Sequence, residues 1–127
     1  MKERKPTRHY TVQEVLDIIE IRPKKYRTTF DGDEINITPR LMMYKKCGVK
    51  CVVCGLEGQY FVKERPEPTQ VWHLNLYAVV DGEEVLMTKD HIIPYARGGK
   101  NQLDNYQPMC QPCNLAKGTT MEGEGPT

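Results

Sequence analysis

Two cysteine pairs of identical spacing, Cys51-Val52-Val53-Cys54 and Cys110-Gln111-Pro112-Cys113, constrain this chain more than any other feature. Each C-x-x-C can wrap a tight turn around one face of a tetrahedral ion, and zinc takes four thiolates at about 2.3 Å in closed structural sites. Such a site has no vacant position for a substrate. It would tie the segment near residue 51 to the segment near residue 110 and take the place of part of a large core. A substitute of this kind is needed, because 39% of the 127 residues are apolar and only two are Phe and one Trp, which allows one small domain with a thin core. Disulfide pairing is the competing use of the thiols. Against it, no early apolar stretch follows the charged start Met1-Lys2-Glu3-Arg4-Lys5, and no run reaches the ~18 residues of a membrane span. The chain therefore reads as soluble and cytoplasmic, where close cysteine pairs hold metal. Cys47, outside the first pair's spacing, is expected to be a small buried residue.

The formal charge of +1 conceals an asymmetry. Residues 1–50 carry 12 Lys/Arg against 7 Asp/Glu, net +5, whereas residues 51–127 carry 6 against 10, net −4. A polyanion-binding surface should therefore draw on the N-terminal part, with Arg22, Lys24, Lys25 and Arg27 as the principal candidates.

Residues 1–9 read as a basic arm. Thr11 and Glu14 have capping-box spacing, and Val12, Val15, Leu16 and Ile19 then recur at helical intervals until Pro23. Residues 26–38 read as two short strands around Asp31-Gly32, and Thr38-Pro39 opens a helix that Gly48 ends. After the first cysteine pair come a strand at 59–63, a bend at Pro66 and Pro68, and two longer strands, 71–80 and 83–93, joined at Asp81-Gly82. The 71–80 strand is expected to be an insertion or extra sheet. A two-residue turn at Asp81-Gly82 would place His73 opposite Asp90, beside the chemistry, whereas a three-residue loop would place it beside Lys89. A helix is expected from Asn114 to Lys117, and the tail from Met121 is expected to be disordered.

The order Asp90-His91-Ile92-Ile93-Pro94, Gly98-Gly99, Asn105-Tyr106-Gln107, Cys110-Gln111-Pro112-Cys113-Asn114 and Lys117 resembles the HNH endonuclease motif over about residues 51–118. The resemblance implies an α+β fold: a small zinc-stabilised ββα-metal module, here with an added β-hairpin and an N-terminal helical, basic extension. The corresponding divisions are residues 1–46 for the extension, 47–120 for the nuclease domain and 121–127 for the tail. It makes His91 the general base, Asp90 and Asn114 ligands of a catalytic divalent cation, magnesium or manganese, and Asn105 the residue that orients His91. Cys51, Cys54, Cys110 and Cys113 hold the structural zinc, and Arg97, Lys100 and Lys117 join the N-terminal cations as phosphate contacts. Small free-standing members of the family are frequent in bacteriophage and bacterial genomes.

The chemistry supports these roles independently. Phosphodiester hydrolysis needs a water deprotonated in place and a cation to offset charge on the phosphate. An imidazole exchanges protons near neutrality, and a carboxylate and an amide oxygen are hard ligands. Asn114 departs from the commonest pattern, which has histidine there, and the interval from Cys54 to Asp90 is long. The expected activity is hydrolysis of duplex DNA, by nicking or double-strand cleavage, with no membrane partner and no small-molecule cofactor. A zinc-stabilised binding or assembly module without activity, and an RNA-directed nuclease, are the competing readings.

Overall fold

Two Asp-Gly dipeptides set the register of this molecule. In the computed structural model, which describes residues 3–4, 9–65, 67 and 71–118, Asp31-Gly32 and Asp81-Gly82 both adopt positive φ (49° and 82°, 52° and 80°). Positive φ at both central residues is the two-residue hairpin turn whose twist matches that of the flanking strands. The first turn joins β3 (Arg27–Phe30) to β4 (Asp33–Asn36), and the second joins β6 (His73–Val80) to β7 (Glu83–His91). The expected arm at residues 1–9 lies almost wholly outside the described residues, as do the tail and the prolines at 66 and 68. What is described at the start is a two-residue strand, β1 (Glu3–Arg4), followed by β2 (Tyr10–Thr11).

The main sheet runs β1-β5-β6-β7-β8, with β2 also on β5 (Tyr60–Arg65) and β8 at Tyr106–Cys110. The stretch expected to be an insertion is thus the interior strand β6, hydrogen-bonded to β5 on one side and β7 on the other. Its alternation explains this place, because Leu74, Leu76 and Ala78 are each no more than 1% exposed and form the centre of the core. β7 changes partner halfway. Residues 83–86 pair with β6, ending at Tyr77↔Leu86, and residues 87–91 pair with β8, ending at His91↔Tyr106. One strand therefore belongs both to the large sheet and to the ribbon that carries Asp90 and His91.

Three helices pack on this frame. α1 (Val12–Leu16) has the expected capping box, with Thr11 accepting from the Glu14 amide and Glu14 accepting from the Thr11 amide. It ends well before Pro23. The chain continues in tighter turns, with Ile18 N–H donating to Val15 and Ile19 N–H to Leu16, and these still bury Ile19. α2 (Pro39–Cys47) is capped by Thr38, whose hydroxyl accepts from the Leu41 amide, and it buries Leu41, Met42, Met43 and Tyr44. α3 (Gln111–Lys117) starts directly after β8 and packs on β7. Residues of α1, α2, β5, β6, β7 and β8 join in one apolar cluster. Cys47, expected in the interior, is exposed at the end of α2.

The hairpin β3–β4 is fastened to the sheet by a buried charge. Lys63 on β5 has a side chain 1% exposed, and its ammonium donates to Asp33 Oδ2 (2.9 Å) and the Asp31 carbonyl (3.0 Å) between the rings of Tyr10 and Phe30. Removing one partner of a buried pair leaves the other charge uncompensated. Asp33→Ala is expected to cost about 2–3 kcal/mol in urea unfolding at unchanged m-value, and adding Lys63→Met should recover more than half. Equal losses in the single and double variants would show that the pair does not fasten the hairpin.

Candidate active site and thiol cluster

The two cysteine pairs converge as their spacing required. The sulfur atoms of Cys51, Cys54, Cys110 and Cys113 all lie within 4.8 Å of one another, and Cys54 Sγ is 3.7 Å from Cys110 Sγ. A tetrahedron with bonds of about 2.3 Å has edges of about 3.8 Å, so the four thiols fit zinc, while the separation is far too long for a disulfide. Backbone bonds preform the site. Gly55, at φ 78°, turns back so that its N–H donates to the Cys51 carbonyl (2.9 Å), and Val52 N–H donates to the Pro108 carbonyl (3.0 Å), joining the first knuckle to β8. Burial pushes the Cys51 thiol up, but amides of Cys54, Cys110 and Val53 outweigh this and bring it to about 6. Burial and then the neighbouring thiols push Cys113 up. One thiol thus ionises readily and the next resists, which is the charge problem a dication resolves.

The second cluster lies where β7 leaves the ribbon. Asp90, 6% exposed, faces α3: its Oδ2 accepts from Lys117 Nζ at 2.7 Å and from Gln107 Nε2 at 2.9 Å, Gln107 being its partner across the ribbon. Asn114 donates from Nδ2 to Thr88 Oγ1 (2.8 Å), and Thr88 in turn donates to the Met109 carbonyl (2.7 Å). Asn114 and Lys117 are three positions apart, so both lie on the side of α3 that meets β7. His91 takes the opposite face, edge-on to the Tyr106 ring at 5.1 Å, with Nε2 2.7 Å from Asn101 Oδ1. Pairing ends at His91 and the chain bends just beyond it, at residues 92–93. Asp90, His91, Asn114, Pro94 and Tyr95 line one open depression of about 260 Å³.

Asn105 fixes the loop after His91 and leaves the imidazole to another residue. Its side chain accepts from the Ile93 amide (2.9 Å) and donates to the Ile93 and Lys100 carbonyls (3.0 and 2.9 Å), while its own carbonyl accepts from Ile92 N–H (2.9 Å). The double glycine serves the same clamp. Gly98 has φ 91°, and a Cβ on Gly99 would lie 1.7 Å from the Ile93 carbonyl oxygen and 3.0 Å from Asn105 Nδ2.

Of the expected phosphate contacts, Lys117 is placed differently, since its ammonium is engaged inside by Asp90 and, at 2.6 Å, by the His91 carbonyl. Arg97 and Lys100 lie exposed on the loop. Arg22 borders Asn101, Gln102 and Tyr106 on the other side of the His91 loop, and Lys24, Lys25 and Arg27 line a separate depression with Ile37. His73 does not reach Asp90. The two-residue turn gives the register that would oppose them, but the β6–β7 ladder stops at Tyr77↔Leu86, and His73 pairs with Glu64 on β5. Asn101, Thr88 and Gln107 are the supporting residues to which the sequence assigned no role; with no turn of known length joining β7 to β8, nothing marked which residues would meet.

Residues 81–124 match the model of the HNH endonuclease family. This span holds the ribbon, α3 and the second cysteine pair, and the first pair completes the thiol cluster from outside it. Over these residues the chain is similar to the HNH endonuclease family, and the four-cysteine cluster beside them fits a zinc site. No curated protein and no solved structure matches it. Among the described residues no helix is long and apolar enough to cross a membrane.

Zinc release is the direct test of the thiol cluster. Structural zinc binding is worth about 10–16 kcal/mol in zinc-finger peptides, as large as the ~5–15 kcal/mol by which whole domains are stable. The purified chain is expected to hold a single zinc by elemental analysis, and Cys110→Ser to lose both the metal and cooperative melting. Retention of both would remove the cluster from its structural role.

Proposed function

We propose that the chain is a divalent-metal-dependent endonuclease that hydrolyses phosphodiester bonds of DNA, with His91 as general base. The observation that supports this best is the meeting of Asp90, His91 and Asn114 in one open depression at the end of a ribbon closed by the thiol cluster.

Hydrolysis requires a water to lose a proton as its oxygen attacks phosphorus, while the bond to the leaving oxygen breaks and that oxygen takes up a proton. In the tautomer in which His91 Nε2 donates to Asn101 Oδ1, Nδ1 is the nitrogen that accepts the water's proton. Tyr106 and the Asn105 clamp hold the ring and the loop behind it. Asp90 and Asn114 would hold the cation: the amide's donor is spent on Thr88, which leaves its oxygen to ligate, and the carboxylate is oriented by Gln107. Magnesium or manganese, when bound, supplies positive charge for the phosphate and the leaving oxygen. Lys117, 2.7 Å from Asp90 Oδ2, holds the carboxylate in place. Arg22, Lys24, Lys25, Arg27, Arg97 and Lys100 contact the phosphate backbone of a duplex, in keeping with the net +5 of residues 1–50.

One observation favours a second reading. Lys117 already neutralises Asp90, as it would in a binding module that has given up its catalytic cation. Incubation of the zinc-loaded chain with plasmid and with structured RNA, in magnesium or manganese and then with excess chelator, separates the readings. Metal-dependent cleavage of plasmid is expected. Binding without cleavage of either substrate would establish the module, and cleavage confined to RNA would change the substrate.

His91→Ala should keep zinc, folding and nucleic-acid binding while cleavage falls at least ~10²-fold. Asn101→Ala should cost less, about tenfold, because Nδ1 remains and only the ring's orientation is freed. The defect of Asn114→Ala should be partly relieved by raising magnesium or manganese. Cleavage at the wild-type rate by His91→Ala would overturn the assignment. Neutralising Arg22, Lys24, Lys25 and Arg27 together should flatten the dependence of log K on log salt by ~0.9 for each duplex phosphate that is no longer neutralised. An unchanged slope and affinity would exclude this surface from binding.

A further inference from the structure

Another depression, of about 390 Å³, lies between α2 and the strands β6 and β7, and it is lined by Thr38, Pro39, Arg40, His73, Thr88 and Lys89. Its three nitrogen-bearing side chains come from three elements, α2, β6 and β7. Arg40 donates from Nη2 to the Leu74 carbonyl (3.3 Å) and Asn75 Oδ1 (2.5 Å), both neutral, and its Nε is buried without a partner. The nearest carboxylate in this network, Glu64, accepts from Asn75 and from Tyr77, so that Asn75 stands between it and the guanidinium. Lys89 rests on the Tyr106 ring at 4.2 Å. Among the described residues no carboxylate forms an ion pair with Arg40, His73 or Lys89. Burial first, and then the charge of Arg40, hold His73 below its ordinary range, so its imidazole stands neutral beside the guanidinium.

We propose that Arg40, His73 and Lys89 form a subsite for a phosphate of the nucleic-acid strand, one that flanks the phosphodiester presented to His91. The inference rests on the nuclease reading and adds to it residues that lie outside the segment matching the family, namely Arg40 and His73. Three features select this ligand. The guanidinium and the ammonium offer N–H donors and positive charge, the imidazole adds an N–H, and Thr38 and Thr88 add hydroxyls, a set suited to a tetrahedral oxyanion. Lys89 lines both this depression and the one that holds Asp90, His91 and Asn114, so the two adjoin. Lys89 and His91 are two residues apart on one face of β7, about 6.7 Å along a strand, close to the spacing of successive phosphates in a nucleic-acid chain. Free phosphate shares this chemistry, but a pocket continuous with the cleavage site points to the strand.

The experiment uses the zinc-loaded full chain in a His91→Ala background, so that duplex is bound and left intact. Arg40→Gln and Lys89→Gln are each expected to weaken binding about tenfold, and the double variant to weaken it by much less than the product of the two, because both cations hold the same phosphate. The salt slope of the double variant should fall by ~0.9. Arg40 also braces β6, so Lys89→Gln with His73→Gln provides a second pair that breaks no hydrogen bond among the described residues. In parallel, His73 imidazole resonances are followed by NMR as duplex, or inorganic phosphate alone, is added. A duplex-induced shift lost in Lys89→Gln supports the subsite. Saturation by inorganic phosphate combined with unchanged duplex affinity in the variants would assign the pocket to free phosphate and overturn the proposal, as would losses that simply multiply. A chain that binds nucleic acid with full affinity in all variants overturns the subsite alone, whereas a parent that binds no nucleic acid overturns the nuclease reading with it.

Discussion

Everything at the candidate site depends on four sulfur atoms held within 4.8 Å. The ribbon strand β8 ends at Cys110, α3 begins at the next residue, and Cys113 lies in its first turn, so the junction that aims Asn114 and Lys117 at β7 is itself part of the thiol cluster. The first knuckle adds a backbone bond from Val52 to Pro108, and thereby braces β8 from outside. A short helix of seven residues would be marginal by itself. A zinc held by the thiols at its start would replace the apolar face that such a helix otherwise needs, and Leu115, 76% exposed, shows how little burial it contributes.

Around this anchor the polar groups form a chain of mutual support. Asn114 is held by Thr88, Thr88 by the Met109 carbonyl, Asp90 by Gln107 and Lys117, and His91 by Asn101. Each supporting group comes from an element the thiol cluster or the ribbon pairing already fixes, apart from Asn101, which lies on the loop that Asn105 clamps. The site is therefore rigid where it would hold a cation and open where a strand would lie. Tyr95 stands exposed along that open side.

The sequence made the chemistry more legible than the architecture. Cysteine spacing located the metal cluster, and both Asp-Gly turns appeared with the two-residue geometry their composition favours. The capping boundaries at Thr11 and Thr38 were equally clear, since a hydroxyl three residues before a backbone amide is a local matter. Non-local competition decided the rest. Apolar spacing from Val12 to Ile19 suggested a longer helix than forms, because burial of Ile19 is satisfied as well by tight turns. Strand β6 looked like an insertion because nothing in its own alternation says that it has partners on both sides. The place of His73 failed for a related reason: the turn gives a register, but only tertiary structure decides where β7 exchanges β6 for β8. The exposed Cys47 ends α2 at a turn where apolar neighbours do not reach.

Strand β7 has a further consequence, for how the hairpin tip can vary. Because the strand's first half is ordered by β6 and its second half by β8, both ladders must agree on which side chains face which way. Adding or removing one residue within the strand, between Glu83 and Leu86, would turn either Asp90 and Thr88, or the side chains that meet β6, to the wrong side. The turn at Asp81-Gly82 lies outside both ladders, and an added residue there lengthens the loop without shifting either. The strand is thus fixed in parity while its tip is free, and the site is insulated from the hairpin's extent while remaining hostage to its phase.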